Sequence, residues 1–136
     1  MVTSTDFKVE TGADEVAHDI TEQCREFVRA SGVTDGILHA WTPHATAGFA
    51  VLEEGERTPA DLLSILKEIL PVDGPWTQRS GKHGHNRDHV LPALIPPFAS
   101  IPIVDGELGV GRFQTVRLVD TNKDNPVRTV RLTAVG

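Results

Sequence analysis

Three histidines fall within seven residues of this chain, in Gly81-Lys82-His83-Gly84-His85-Asn86-Arg87-Asp88-His89. Neutral imidazole is the commonest side-chain metal ligand and titrates near neutral pH, and crowding several imidazoles is unfavourable once they are charged. His83 and His85 are separated by one residue, so in extended chain they point the same way. His85 and His89 are four apart, one turn if a helix has begun by then. Asp88 either caps that helix or joins the histidines. A His-x-His pair in a polar loop is read in two ways, as a metal chelate or as a solvated cluster. A fourth histidine, His44 in Trp41-Thr42-Pro43-His44-Ala45-Thr46-Ala47-Gly48, favours the chelate: flanked by proline and small residues, its side chain can project into a cleft. Catalytic zinc takes about three protein ligands and keeps one position open. Glu53 and Glu54 follow the strand that leaves His44. A carboxylate there serves as general base or ligand, or else the two are solvated charges ahead of the next helix. The His-x-His-x-Asp-His signature of metallo-β-lactamase-type hydrolases does not fit. One residue too many separates His85 from Asp88, and no histidine follows His89.

The elements that must hold these groups belong to one domain, residues 1–136. A chain of this length buries about 70% of its unfolded surface. With 39% hydrophobic and 24% charged residues it reads as an ordinary globular protein, and with five Phe, two Trp and no Tyr its core must be aliphatic. The net charge is −6 and the basic residues are scattered. That disfavours nucleic acid, which requires clustered Lys and Arg to displace counterions. It leaves room for a small phosphorylated ligand held by a local cation or a metal. The single cysteine, Cys24, forms no intramolecular disulfide, which fits a reducing compartment. No stretch approaches the ~20 apolar residues of a membrane span, and the N-terminus lacks a leader pattern, so a cytoplasmic location without membrane contact is expected.

Residues 6–11 read as a first strand. Residues 11–30 read as a helix with Val16, Ile20, Cys24, Phe27 and Val28 on one stripe, Asp14 and Glu15 at its N-terminal end and Gly32 as its stop. Cys24, on that stripe, is read as a core residue. Strands follow at 37–42 and 47–52, with His44 in the turn between them. A second helix spans 59–70, with Thr58 as cap, Pro59 at its first position and Pro71 at its end. Residues 71–88 form a long polar loop, and a short helix over 89–95 is cramped by Pro92 and closed by Pro96-Pro97. Strands at 100–104 and 108–110 flank the Asp105-Gly106 turn, and two more lie at 113–121 and 127–135, joined by 122–126. Few helices and adjacent strands make this an α+β domain with two main helices and mixed or antiparallel sheets.

Three segments resemble the YjbQ family, the secondary thiamine-phosphate synthase family, and the resemblance spans nearly the whole chain. His44-Ala45-Thr46-Ala47-Gly48 through Glu53 is similar to its His-Thr-[Ser/Thr]-Ala segment ending in Asn-Glu, with Leu52 in place of the Asn. His83 to His89 resembles a stretch with a His, a Gly-Asn pair and Ala-His-Leu, with His85 in place of the Asn and Asp88 in place of the Ala. Ser100 to Gln114 resembles the segment ending in Gly-Thr-Trp-Gln, with Arg112-Phe113 for Thr-Trp. Pro92 and Pro96-Pro97 interrupt the helix that normally follows the last histidine. These departures mark a divergent member.

The resemblance implies a homotrimer with clefts near subunit contacts and a divalent metal on histidines. It implies His44, His83 and His89 as ligands, Glu53 as acid or base, and Gln114 as a substrate contact. Arg112 is a candidate for phosphate, whose oxygens a guanidinium matches bidentately. His85, extra to the pattern, is a candidate catalytic group, either a fourth ligand or a solvated neighbour. Histidine donors suit zinc, nickel or iron better than magnesium. The implied reaction joins a pyrimidine diphosphate to a thiazole phosphate and releases pyrophosphate. Metal-assisted hydrolysis of a small phosphorylated or acyl compound, or a trimeric binding module without catalysis, are the alternatives.

Overall fold

The computed structural model describes residues 1–77 and 85–136. Its elements are β1 (Val2–Glu10), β2 (Val16–Asp19), α1 (Thr21–Ser31), β3 (Gly36–Trp41), β4 (Ala47–Glu53), α2 (Arg57–Ile69), a 3-10 turn (Asn86–His89), α3 (Leu91–Leu94), β5 (Phe98–Val104), β6 (Glu107–Leu108), β7 (Gln114–Asp120) and β8 (Val127–Val135). The strands pair antiparallel in two sheets, ordered β1-β8-β3-β5-β6 and β2-β7-β4. The expected α+β domain is what forms. Among the described residues no helix is long and apolar enough to cross a membrane.

Alternation sets which residues enter the core. Val130, Leu132 and Ala134 of β8, Leu38 and Ala40 of β3, and Ile101 and Ile103 of β5 face inward from the large sheet. They meet Ile20, Cys24 and Val28 around α1, and Ala47, Phe49, Val116 and Leu118 from the small sheet. The other face of the small sheet is covered by Leu66 and Leu70 from α2 and by Leu91 of α3, packed on Ala17 and Val119. β7, central in that sheet, is therefore buried on both faces from Thr115 onward. Arg117 lies within it and cannot reach water. Its guanidinium instead donates to Thr115 Oγ1, Ala17 O and Gly55 O at 3.0, 3.0 and 3.1 Å.

The helix expected over 11–30 is only half helix. Gly12 turns the chain at φ 75°, and the N–H groups of Thr11 and Gly12 both donate to Pro126 O. Residues 16–19 then pair with β7, Val16 opposite Asp120 and Asp19 opposite Arg117. Tertiary pairing overrides a helical spacing that includes Val16. Asp14 and Glu15 accordingly precede a strand, not a helix. Cys24 is buried as expected, and Gly32 ends α1 at φ 75°.

The second helix begins two residues early, at Arg57, with Glu56 rather than Thr58 in the cap position and Pro59 third. Proline is tolerated there because the first-turn N–H groups have no intrahelical acceptor. Pro92 is accommodated near the start of α3 for the same reason, so the expected helix over 89–95 splits into the 3-10 turn and α3. The Asp105-Gly106 turn forms with both residues at positive φ, as a two-residue hairpin requires. β6 covers 107–108 rather than 108–110.

Neither β3–β4 nor β7–β8 is a hairpin. Each pair is adjacent in sequence but divided between the two sheets. Ala47 at the start of β4 lies opposite Asp120 at the end of β7. The β3–β4 crossing therefore meets the β7–β8 crossing, and the candidate site is built at that junction.

Candidate functional site

Arg128 occupies an inward position of β8, in line with Val130, Leu132 and Ala134. A buried guanidinium requires a partner. It finds Asp120, with Nε 2.5 Å from Oδ2 and Nη2 3.1 Å from Oδ1, and both side chains are only 1% exposed. Thr46 Oγ1 accepts from Arg128 Nη2 at 2.9 Å and from Asn122 Nδ2 at 3.1 Å. Asp120 and Asn122 each accept the backbone N–H two residues on, at 2.8 and 2.7 Å, and these turns shape the β7–β8 crossing. This network ties the segment carrying His44 to the segment 120–128.

His44 Nε2 accepts the backbone N–H of Thr129 at 3.0 Å. Burial, then Arg128, hold its pKa below the ordinary imidazole range, Lys8 adds to this, and Asp120 opposes them. The 3-10 turn docks on the same 120–128 segment. Its Asp88 is buried and accepts from the Thr121 hydroxyl. Burial pushes the Asp88 carboxyl above its usual range, against Thr121, Arg87 and His85, while Asp120 pushes the same way as burial. Asp88 is thus no helix cap: the cap position belongs to His85, without a side-chain capping bond. Arg87 is buried too, donating to Leu70 O at 3.3 Å and to Glu15.

His85 and His89 meet edge to face with ring centroids 4.6 Å apart. His85 Nδ1 lies 2.9 Å from Asp124 Oδ2 and 3.9 Å from Asp88 Oδ2, close enough for ion pairing but not aligned as hydrogen bonds. His89 Nε2 is buried and has no hydrogen-bond partner among the described residues. A polar cleft of about 360 Å³ adjoins this network, lined by Glu15, Ser64, Lys67 and Lys123 among others.

The sequence-selected residues divide into two groups. His44, His85 and His89 are brought to the 120–129 segment. His83 lies outside the described residues. Glu53, Arg112 and Gln114 stand at the opposite end of the small sheet. Glu53 is opposite Gln114 in the β4–β7 ladder, six residues along β4 from Ala47, or about 20 Å. Gln114 Oε1 accepts the Gly111 N–H at 2.7 Å, and the Arg112 guanidinium stacks over Phe113 at 5.2 Å. All of these side chains are exposed. Within one chain the Glu53 group and the histidine group are separate.

Sequence reading passed over Asp120, Thr121, Asn122, Asp124 and Arg128 as a strand end and a connection. One signal was available: Arg128 falls on the apolar side of an otherwise regular alternation, and an inward arginine demands a buried acid nearby.

For a divalent metal, the donors present fit unevenly. His89 offers a buried Nε2 that meets no partner among the described residues. His44 offers Nε2 only if Thr129 gives up its acceptor. Among the described residues no three His, Cys, Asp or Glu side chains are grouped to hold a metal ion.

Two antiparallel sheets in contact, one backed by α2 and α3, with a polar junction where two connections cross, define a class of α+β domain that other proteins share. The solved structure of a YbjQ-like protein of unknown function from Sulfolobus solfataricus superposes with a TM-score of 0.93 at 24% identity, covering 100% of this chain and 98% of that one. A YjbQ/UPF0047-family protein from Clostridium acetobutylicum gives 0.82 at 26% identity, over 96% and 99%. The family description "UPF0047 protein YjbQ-like" matches residues 5–136. A UPF0047 protein of Mycobacterium tuberculosis is 40% identical over 117 residues, 86% of each chain. The chain belongs to the YjbQ-like UPF0047 family.

Proposed function

We propose that this chain is an enzyme acting on a small phosphorylated molecule at the junction of the 3-10 turn, the β3–β4 crossing and the 120–128 segment. The observation that carries this is His89: a buried imidazole nitrogen without a hydrogen-bond partner among the described residues, beside His85, which lies against Asp124 and Asp88. Leaving such a group unsatisfied is costly, and sites that bind ligands are where that cost is tolerated. His89, with His83 as the family resemblance implies, would hold a divalent cation. Zinc suits imidazole donors best, ahead of nickel and iron, with magnesium the poorest fit. Once bound, the cation supplies charge neutralisation for a departing phosphate or pyrophosphate group. The adjoining cleft carries Lys123 and Lys67, the latter 3.6 Å from Glu15, beside Asp14, and Lys123 is its candidate for the remaining phosphate charge.

The reaction this reading favours is the one the family resemblance implies, transfer of a pyrimidine from its diphosphate to a thiazole phosphate. Glu53, Arg112 and Gln114 are too far from the histidines of the same chain to act with them, so a joint site would need a subunit contact, as the homotrimer implied by the family resemblance would provide. The large sheet supports such assembly: Val2, Ile37, Trp41, Phe98, Val104 and Val135 are exposed apolar residues on its strands.

The test is direct. Purified protein given both precursors should form thiamine phosphate, and His89→Ala should abolish product and metal content together. No product at high enzyme concentration would sink the transferase reading. Metal content unchanged in His89→Ala would sink the ligand assignment.

A further inference from the structure

His44 sits where the β3–β8 ladder ought to continue. The register puts Ile37 opposite Val135 and Trp41 opposite Arg131, so the next outward pair would set position 43 against Thr129. Position 43 is Pro43, which has no N–H to donate. Both backbone groups of Thr129 are met instead by the side chains flanking the proline. Thr42 Oγ1 donates to Thr129 O at 2.8 Å, and Thr129 N–H donates to His44 Nε2 at 3.0 Å. The Thr129 hydroxyl in turn accepts from Lys8 Nζ at 2.5 Å. Thr42 and His44 thus replace the rung that the proline removes.

A ring nitrogen that accepts a hydrogen bond is unprotonated, so the neutral ring carries its proton on Nδ1. A metal on Nε2 would compete for the same lone pair and strip a strand N–H of its acceptor, which is costly wherever water cannot replace it. We propose that His44 caps this ladder as the neutral Nδ1–H tautomer and gives the site a hydrogen-bond donor for a phosphate oxygen, not a lone pair for a metal. The family resemblance counts His44 as a third ligand; the hydrogen bonding here assigns it the opposite polarity. Of the charges facing the ring, Arg128 is paired with Asp120, which opposes it, and Lys8 remains as a cation on the side of Thr129. The phosphate part of the inference rests on the substrate class proposed above, whereas the tautomer does not.

Long-range proton–nitrogen NMR of the 15N-labelled full chain at neutral pH tests it. His44 Nε2 should give the shift of an unprotonated ring nitrogen and Nδ1 that of a protonated one. Equimolar zinc should move the His89 nitrogens and leave His44 Nε2 in place, while pyrophosphate should move the His44 Nδ1–H. An Nε2–H tautomer, a zinc-shifted His44 Nε2, or an Nδ1–H indifferent to pyrophosphate would each overturn the proposal. His44→Gln provides a second check, because its amide can accept from Thr129 and still donate. It should keep the wild-type zinc stoichiometry that His89→Ala loses, and loss of zinc in His44→Gln would count against the proposal. If no form of the protein takes up zinc, the metal reading fails by itself, and the tautomer measured without metal still decides the role of His44.

Discussion

The ion pair between Asp120 and Arg128 is the perturbation with the most calculable outcome. Arg128→Met keeps much of the side-chain volume and removes the charge. Among the described residues it leaves a carboxylate that is 1% exposed with only the Asn122 N–H at 2.8 Å, and it takes one of two donors from Thr46. Breaking a buried pair by removing one partner costs about 3–5 kcal/mol. With an unfolding entropy of about 2.1 cal/mol/K per residue, that cost lowers the Tm of a chain this long by about 10–17 °C. Thermal and urea unfolding at one fixed protein concentration measure it. Adding Asp120→Asn to Arg128→Met should restore part of the loss, because the amide oxygen can still accept from Asn122 while the stranded charge is gone. The double variant should therefore be more stable than the two single losses predict, by about 0.5–3 kcal/mol. A loss below about 1 kcal/mol for Arg128→Met, or a cycle that closes additively, would refute the argument that this pair holds the two crossings together.

Gly48 carries a second expectation, since a Cβ there would stand 1.8 Å from Ile95 O, where the Phe49 N–H bonds Pro96 O at 2.8 Å. Gly48→Ala should cost about 1–3 kcal/mol or more in urea unfolding, and a neutral result would mean the β4–α3 approach is looser than described. Cys24 has its thiol pushed by burial, and secondarily by Asp19, from 9.0 to about 12. The folded state then holds the proton more tightly than the unfolded one, so this contribution is full below about pH 9 and falls by about 1.4 kcal/mol per pH unit toward pH 12. Cys24→Ala should remove that slope, and a native thiol that reacts quickly with a disulfide reagent at pH 8 would contradict it. Trp41 and Phe98 are cross-strand neighbours and both exposed. On the proposed homotrimer reading, Trp41→Glu/Phe98→Glu should lower the wild-type mass to that of a monomer by light scattering, and a wild-type oligomer of unaltered mass in the variant would exclude this face from the contact.

Local signals were enough for most strands. The alternation over 127–135 yields β8 with the same bounds, and Asp105-Gly106 marks its hairpin without ambiguity. They failed at β2, where Val16 and Ile20 fit a helical stripe as well as a strand, and only the partner β7 decides between the two. The same limit hid the sheet assignment. Nothing local to 37–52 says that β3 and β4 pair with different neighbours, since pairing depends on strands more than forty residues away.

The candidate site shows the same division. Residue type and spacing, which are local properties, already mark His44, His85 and His89 as unusual. What surrounds them is a property of the tertiary fold. It brought segment 120–129 against both histidine groups, it set Glu53 about 20 Å along β4 from the junction, and it closed the His44 lone pair with a backbone N–H. A hydrogen-bond acceptor and a metal ligand are the same residue in a sequence, and what distinguishes them is which atom folding places opposite the ring nitrogen. Here that atom is the N–H of Thr129, left over where Pro43 interrupts a ladder.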